Sequence, residues 1–127
     1  MQDLPHTYVV SATAEGAGNV IVSSDGLPDL ETAGPPQFGG PGDVWSPETL
    51  LVGAVANCFI LSFRAIARKA KLDWRTLECV VDAELDKVDG FTQFTQFTTK
   101  AVLTIDDEQQ AKKAGVILEK AEKYCLV

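Results

Sequence analysis

The chain has 127 residues, enough for one domain with a modest core and too few for two. Its 46% hydrophobic and 23% charged content is ordinary for a soluble globular protein. A net charge of −7, with Lys and Arg scattered rather than clustered, argues against a nucleic-acid partner, because nothing here would neutralise phosphates.

The start, MQDLPHTYVV, lacks the basic and long apolar regions of a signal peptide, so the expected location is the cytoplasm. Three cysteines (Cys58, Cys79 and Cys125) at no metal-like spacing, with His6 as the only histidine, argue against a zinc site. Neither a metal nor another cofactor is expected. In a reducing compartment, an odd cysteine count points to free thiols, structural or redox-active, rather than a disulfide scaffold.

In chain order, His6–Thr13 is rich in β-branched and aromatic residues and is expected as a strand. Glu15-Gly16-Ala17-Gly18 turns it into a second strand at Asn19–Ser24; Asp25-Gly26 is another turn, and Leu27–Thr32 is a candidate third strand. Ala33–Trp45, AGPPQFGGPGDVW, is long for a connection in a compact domain, and such loops are often functional.

The stretch Ser46–Ala70 organises the rest. Ser46 can cap a helix, Pro47 suits its first position, and Glu48 sits where the macrodipole favours an anion. Leu51, Ala54, Val55, Cys58, Leu61, Ala65, Ile66 and Ala70 recur at helical spacing. The run Leu50–Phe63 is apolar nearly all round, which predicts a buried helix. Asn57, Ser62 and Arg64 interrupt it too early for a membrane span.

After a turn at Lys71–Thr76, Cys79, Val81, Ala83 and Leu85 alternate with Glu78, Asp82, Glu84 and Asp86, as in a strand with one apolar and one solvated face. Asp89-Gly90 leads into Phe91–Ile105, a strand on which Phe97, Thr99, Ala101, Leu103 and Ile105 share a face. The near-repeat FTQ-FTQ-FTT has a period of three, which fits no strand face, and reads as packing. Asp106 can cap a last helix, with Gln109 at the capping-box position and Ala114, Ile117, Leu118, Ala121 and Cys125 forming its apolar stripe. The expected architecture is a single α+β domain over residues 1–127, an antiparallel sheet covering a long buried central helix.

Cys58 lies mid-helix on an apolar face, where a cysteine is more often a small core hydrophobe than a nucleophile. Its neighbours are small or polar, and Cys125 could meet it if the two helices pack. A reactive thiol would need a cation to lower its pKa, and Arg64, six residues on, points elsewhere. Glu48 is ten residues before Cys58, about 15 Å along a straight helix. If Glu48 belongs to the Cys58 site, a second subunit must supply it, which argues for a symmetric dimer. Cys79 faces inward and reads as core packing.

The segment SPETLLVGAVANCF resembles the central helix of the OsmC/Ohr family (osmotically inducible and organic-hydroperoxide-resistance proteins), with a Pro-Glu and then the reactive cysteine ten residues after the Glu. ILEKAEKYCLV resembles the family's second-cysteine motif; the early SSDG turn and AELDKVDG are also similar. The resemblance covers essentially the whole chain. It implies an intertwined homodimer and a thiol peroxidase acting on organic hydroperoxides in oxidative or osmotic stress defence. By the same resemblance Cys58 is the peroxidatic cysteine, Cys125 the resolving one and Glu48 the active-site acid. A dithiol of the dihydrolipoyl type is the implied reductant. Gln37 and Phe38, where one branch of the family shows Arg-Phe, match substrate-binding positions, and Phe59 contributes to an apolar site with Trp45 and Phe63. No nucleic acid or membrane enters this reading.

The chain departs from the family in two respects. No arginine precedes Arg64, so Gln37 brings no charge to a thiolate, and the chain ends two residues after Cys125, where members usually continue into a closing segment. The first departure favours a non-catalytic dimer that binds a small apolar or thiol ligand; a third reading is a redox sensor whose Cys58–Cys125 disulfide alters a partner surface.

Overall fold

The computed structural model describes residues Met1–Val127. The elements are β1 (Ser11–Thr13), β2 (Val20–Ser23), β3 (Leu30–Thr32), α1 (Pro47–Lys69), β4 (Thr76–Val88), β5 (Phe91–Thr104) and α2 (Ala111–Lys123). Single 3-10 turns lie at Pro36–Phe38 and Glu108–Gln110. The chain resolves into two compact units, Met1–Leu50 and Leu51–Val127.

In the N-terminal unit, β1, β2 and β3 form an antiparallel meander, with Ser11 opposite Ser23 and Val20 opposite Thr32. The strands are shorter than the β-branched runs predict, and His6–Val10 lies outside the ladder. The physical reason is the partner. β2 is confined between turns that use Gly18 and Gly26 at positive φ, so it offers β1 only a few residues to pair with. The Ser24 hydroxyl still reaches back to the Val9 carbonyl at 2.9 Å. The Pro/Gly segment folds on itself: the N–H groups of Phe38 and Gly40 both donate to the Pro35 carbonyl, at 2.9 and 3.0 Å. A Cβ at position 40 would run into the Gly34 carbonyl, so only glycine fits there. Thr32 and Trp45 then form a parallel bridge that delivers the chain to α1.

The start of α1 is a reciprocal cap. The Thr49 N–H donates to Ser46 Oγ at 3.1 Å, and the Ser46 N–H donates to Thr49 Oγ1 at 2.9 Å. Its end is a Schellman motif, with the Leu72 N–H on the Ala67 carbonyl and the Lys71 N–H on the Arg68 carbonyl; Lys71 takes the left-handed conformation.

In the C-terminal unit, β4 and β5 form one long hairpin through Asp89-Gly90, both at positive φ as a tight two-residue turn requires. One face of the hairpin carries Leu77, Cys79, Leu103 and Ala101 onto a core of Phe59, Phe63, Ala67, Leu72, Ala114, Ile117 and Ala121. Phe59, Phe63 and Ala67 stand four residues apart on one edge of α1; Phe63 is fully buried and meets Trp74 edge-on at 5.3 Å between ring centroids.

Three expectations need correction. The period-three repeat fits a strand face over one step, from Phe94 to Phe97, because a bulge lets Leu85 face Phe94 while Glu84 faces Gln96, leaving Thr95 as the extra residue; Phe91, opposite Val88, stays on the other face. Phe94 and Phe97 therefore share a face, their rings 5.4 Å apart. The cap of the last helical segment is Asp107, whose Oδ1 accepts from the Gln109 N–H at 2.9 Å, while Asp106 is an exposed partner of Arg75 at 3.4 Å. Finally, α1 is not buried all round within one chain. Its buried residues are Phe59, Phe63 and Ala67, whereas Leu51 and Leu61 are exposed, because two strands and one short helix can cover only one side of a 23-residue rod. By length and composition alone α1 could cross a membrane; its Phe59–Phe63–Ala67 edge is instead built into a packed core.

Candidate active site

Cys58 sits at the middle of α1, on the helix face that carries Ser62 one turn later; the two side chains approach at 3.9 Å between sulfur and oxygen. α2 ends at Tyr124, whose N–H still bonds to the Lys120 carbonyl at 2.9 Å. Beyond it the main chain leaves the helix and crosses to α1, where the Leu126 N–H donates to Cys58 Sγ at 3.3 Å. The same turn brings the Cys125 thiol within hydrogen-bonding reach of Cys58, and both are partly buried free thiols.

The electrostatics separate the three thiols. Burial pushes Cys58 up, but hydrogen bonds from the Cys125 thiol, the Leu126 N–H, the Ser62 hydroxyl and the Val127 N–H outweigh it and hold Cys58 below the ordinary thiol value. Every contribution that lowers it is a hydrogen bond. Cys125 is held above the ordinary value, first by burial and then by its donation to Cys58 and the charge there, with the Val127 N–H opposing. Cys79 also lies high, through burial and then the charge of Cys125. Cys58 is therefore the first to ionise, with a protonated thiol beside it: a nucleophile next to a potential second reactant.

The remaining predicted residues fall elsewhere in the chain. Glu48 occupies the first turn of α1, and the helix continues through Cys58 without a break. Its Oε1 is covered and has no hydrogen-bond partner in the chain. Gln37 and Phe38 form the 3-10 turn of the N-terminal unit, Phe38 exposed. Phe59 lies in the core at 4% exposure. No cluster of side chains suited to a metal ion is present.

Sequence reasoning singled out both cysteines as candidates but missed the main-chain donor. Ser62 was visible as a hydroxyl one turn from Cys58. The N–H of Leu126 carries no side-chain signature, and nothing in residue identity reveals it.

A helix-borne thiol beside a second cysteine, on an α+β scaffold with a long hairpin, is an arrangement that known relatives place in a family. Residues 40–127 match the sequence profile of the OsmC-like protein family, and the chain belongs to that family. It is 25% identical over 96 residues to the uncharacterized protein YmaD of Bacillus subtilis (strain 168), a match covering 73% of this chain. The chain spans only 64% of that relative's length.

Among solved structures, an OsmC-like protein of unknown function from Vibrio cholerae superposes with a TM-score of 0.83 at 16% identity, covering 96% of this chain and 91% of that one. An organic hydroperoxide resistance protein OsmC from Legionella pneumophila gives 0.77 at 24% identity, covering 98% and 88%. An organic hydroperoxide resistance protein from Elizabethkingia anophelis gives 0.74 at 23% identity, covering 96% and 86%. These likenesses carry the fold.

Proposed function

We propose that the protein is a thiol-dependent peroxidase of organic hydroperoxides, acting in stress defence in the cytoplasm. The observation that carries this reading is the Cys58–Cys125 pair, two free thiols in hydrogen-bonding reach of which only the helix-borne one is acidified. The Cys58 thiolate attacks the peroxide oxygen distal to the alkyl group; the O–O bond breaks and the alkoxide leaves, taking a proton to become the alcohol. Cys58 is then a sulfenic acid. The Cys125 sulfur attacks it, water departs and a Cys58–Cys125 disulfide remains. An external dithiol of dihydrolipoyl type restores both thiols by exchange and is itself oxidised to a disulfide.

The working unit of this reading is a homodimer. Exposed apolar side chains such as Tyr8, Val9, Leu61, Val80 and Val102 are surface that a second copy would cover. Glu48, with an unpartnered covered oxygen and a continuous helix between it and Cys58, serves as the active-site acid of the other subunit's thiol. Gln37 and Phe38 contribute to substrate binding, whereas Phe59, buried in the core, is not available to line the site.

A second reading, a non-catalytic ligand-binding or redox-sensing dimer, is favoured by the lack of any cation among the influences on Cys58. Non-reducing peptide mapping after one equivalent of cumene hydroperoxide, with hydrogen peroxide in parallel, decides between them. The peroxidase gives a Cys58–Cys125 disulfide within seconds and faster with the organic peroxide. Thiols still reduced after minutes would overturn it.

A further inference from the structure

The question left by the site is what holds a negative charge on Cys58 when no cation lies against it. The C-terminal tail supplies an answer. Leu126 has a side chain that is 92% exposed, so packing of the leucine does not explain the course of the main chain there. What the residue does contribute is its N–H, which points at Cys58 Sγ from 3.3 Å and has no helical carbonyl to serve, since α2 has already ended at Tyr124.

We propose that the main-chain N–H of Leu126 is the anion-holding donor of the Cys58 thiolate, so that the segment bearing Cys125 also sets the reactivity of Cys58. Main-chain donors suit this task. They are fixed in direction, cannot be titrated away and strengthen when their acceptor carries charge. The arrangement also links the two stages of the chemistry. While Cys58 is a thiolate, its charge holds the tail and keeps Cys125 at hand. Once the sulfurs are joined, the charge is gone and the N–H loses its charged acceptor, so that this hold no longer opposes attack on the disulfide by the external dithiol. The meaning for turnover rests on the peroxidase reading; the holding of the thiolate does not.

The experiment compares Leu126→Pro, which deletes the N–H, with Leu126→Ala, which keeps it. Both act on an exposed side chain. The readout is the pH dependence of Cys58 alkylation by iodoacetamide, resolved by peptide mass mapping. Leu126→Pro is expected to raise the midpoint and slow alkylation at neutral pH by about three- to tenfold, on the scale of a charge-assisted hydrogen bond at a partly exposed site, while Leu126→Ala follows the parent protein. Because proline also restricts Cys125, the amide resonance of Leu126 in the unsubstituted protein is followed across the same pH range. It should shift with the Cys58 titration and lose that shift in Cys58→Ser. Identical alkylation profiles for the two variants, or a Leu126 amide indifferent to Cys58, would overturn the proposal. A proline effect in a protein that leaves cumene hydroperoxide unreduced upholds the thiolate holder and removes the peroxidase; fast peroxide reduction unchanged by the proline does the reverse.

Discussion

The two compact units solve the problem of stability differently. The C-terminal unit holds every buried hydrophobic side chain of the chain, from Phe59 and Phe63 on α1 to Ala121 on α2, and its strands run 13 and 14 residues. The N-terminal unit has strands of three or four residues, and its buried residues are the polar Thr32 and Ser46 and the loop residue Pro35. Its larger apolar residues, among them Tyr8, Val9, Val10, Phe38 and Trp45, stand in the open. A three-stranded sheet without an apolar interior is held by turns and local hydrogen bonds, and that is too little for independent stability. The contrast teaches that the C-terminal unit is a folding core and the N-terminal unit a segment awaiting cover, in the proposed assembly from a second copy.

The strongest way to break the contrast is to remove its cause. Phe63→Ala should cost about 3–5 kcal/mol, since it empties the one fully buried aromatic position and strands Trp74; denaturant unfolding checks this. Next comes dilution. If a second copy covers the N-terminal unit, hydrogen exchange at β1–β3 should speed up by about tenfold or more below the dimer's dissociation constant, while β4 and β5 keep their protection. Unchanged exchange at β1–β3 would show that the unit holds itself together.

Among the thiols, Cys58 should alkylate fastest at neutral pH. Its pKa lies below the ordinary value, so its thiolate fraction rises at lower pH than that of Cys79 or Cys125, both held above it. Peptide mapping after brief iodoacetamide exposure between pH 6 and 9 tests the order, and preferential labelling of Cys79 would contradict it. The smallest expected effect is at the start of α1, where Ser46→Ala removes the acceptor for the Thr49 N–H and should cost about 1 kcal/mol in thermal or denaturant unfolding.

The sequence was legible wherever the physics is local. Ser46-Pro47-Glu48 starts α1 because capping and the proline φ act within one turn, and Asp89-Gly90 makes the hairpin because both residues tolerate positive φ. The alternation from Cys79 to Leu85 assigns the core face of β4 for the same reason of short range. The lengths of β1 and the cover on α1 were not legible in this way, since each depends on what the partner element offers rather than on the residues themselves.

In the site, helical spacing placed Cys58, whereas Cys125, expected on the apolar stripe of the last helix, lies beyond the end of α2 and approaches Cys58 through the turn that follows Tyr124. The bulge at Thr95, which brings Phe94 and Phe97 to one face, required the register of β4 against β5. So did the surroundings of the reactive thiol. Side-chain chemistry is written in residue identity, but a main-chain N–H is the same in every residue except proline, and only the path of the chain after Tyr124 decides that the N–H of Leu126 meets Cys58.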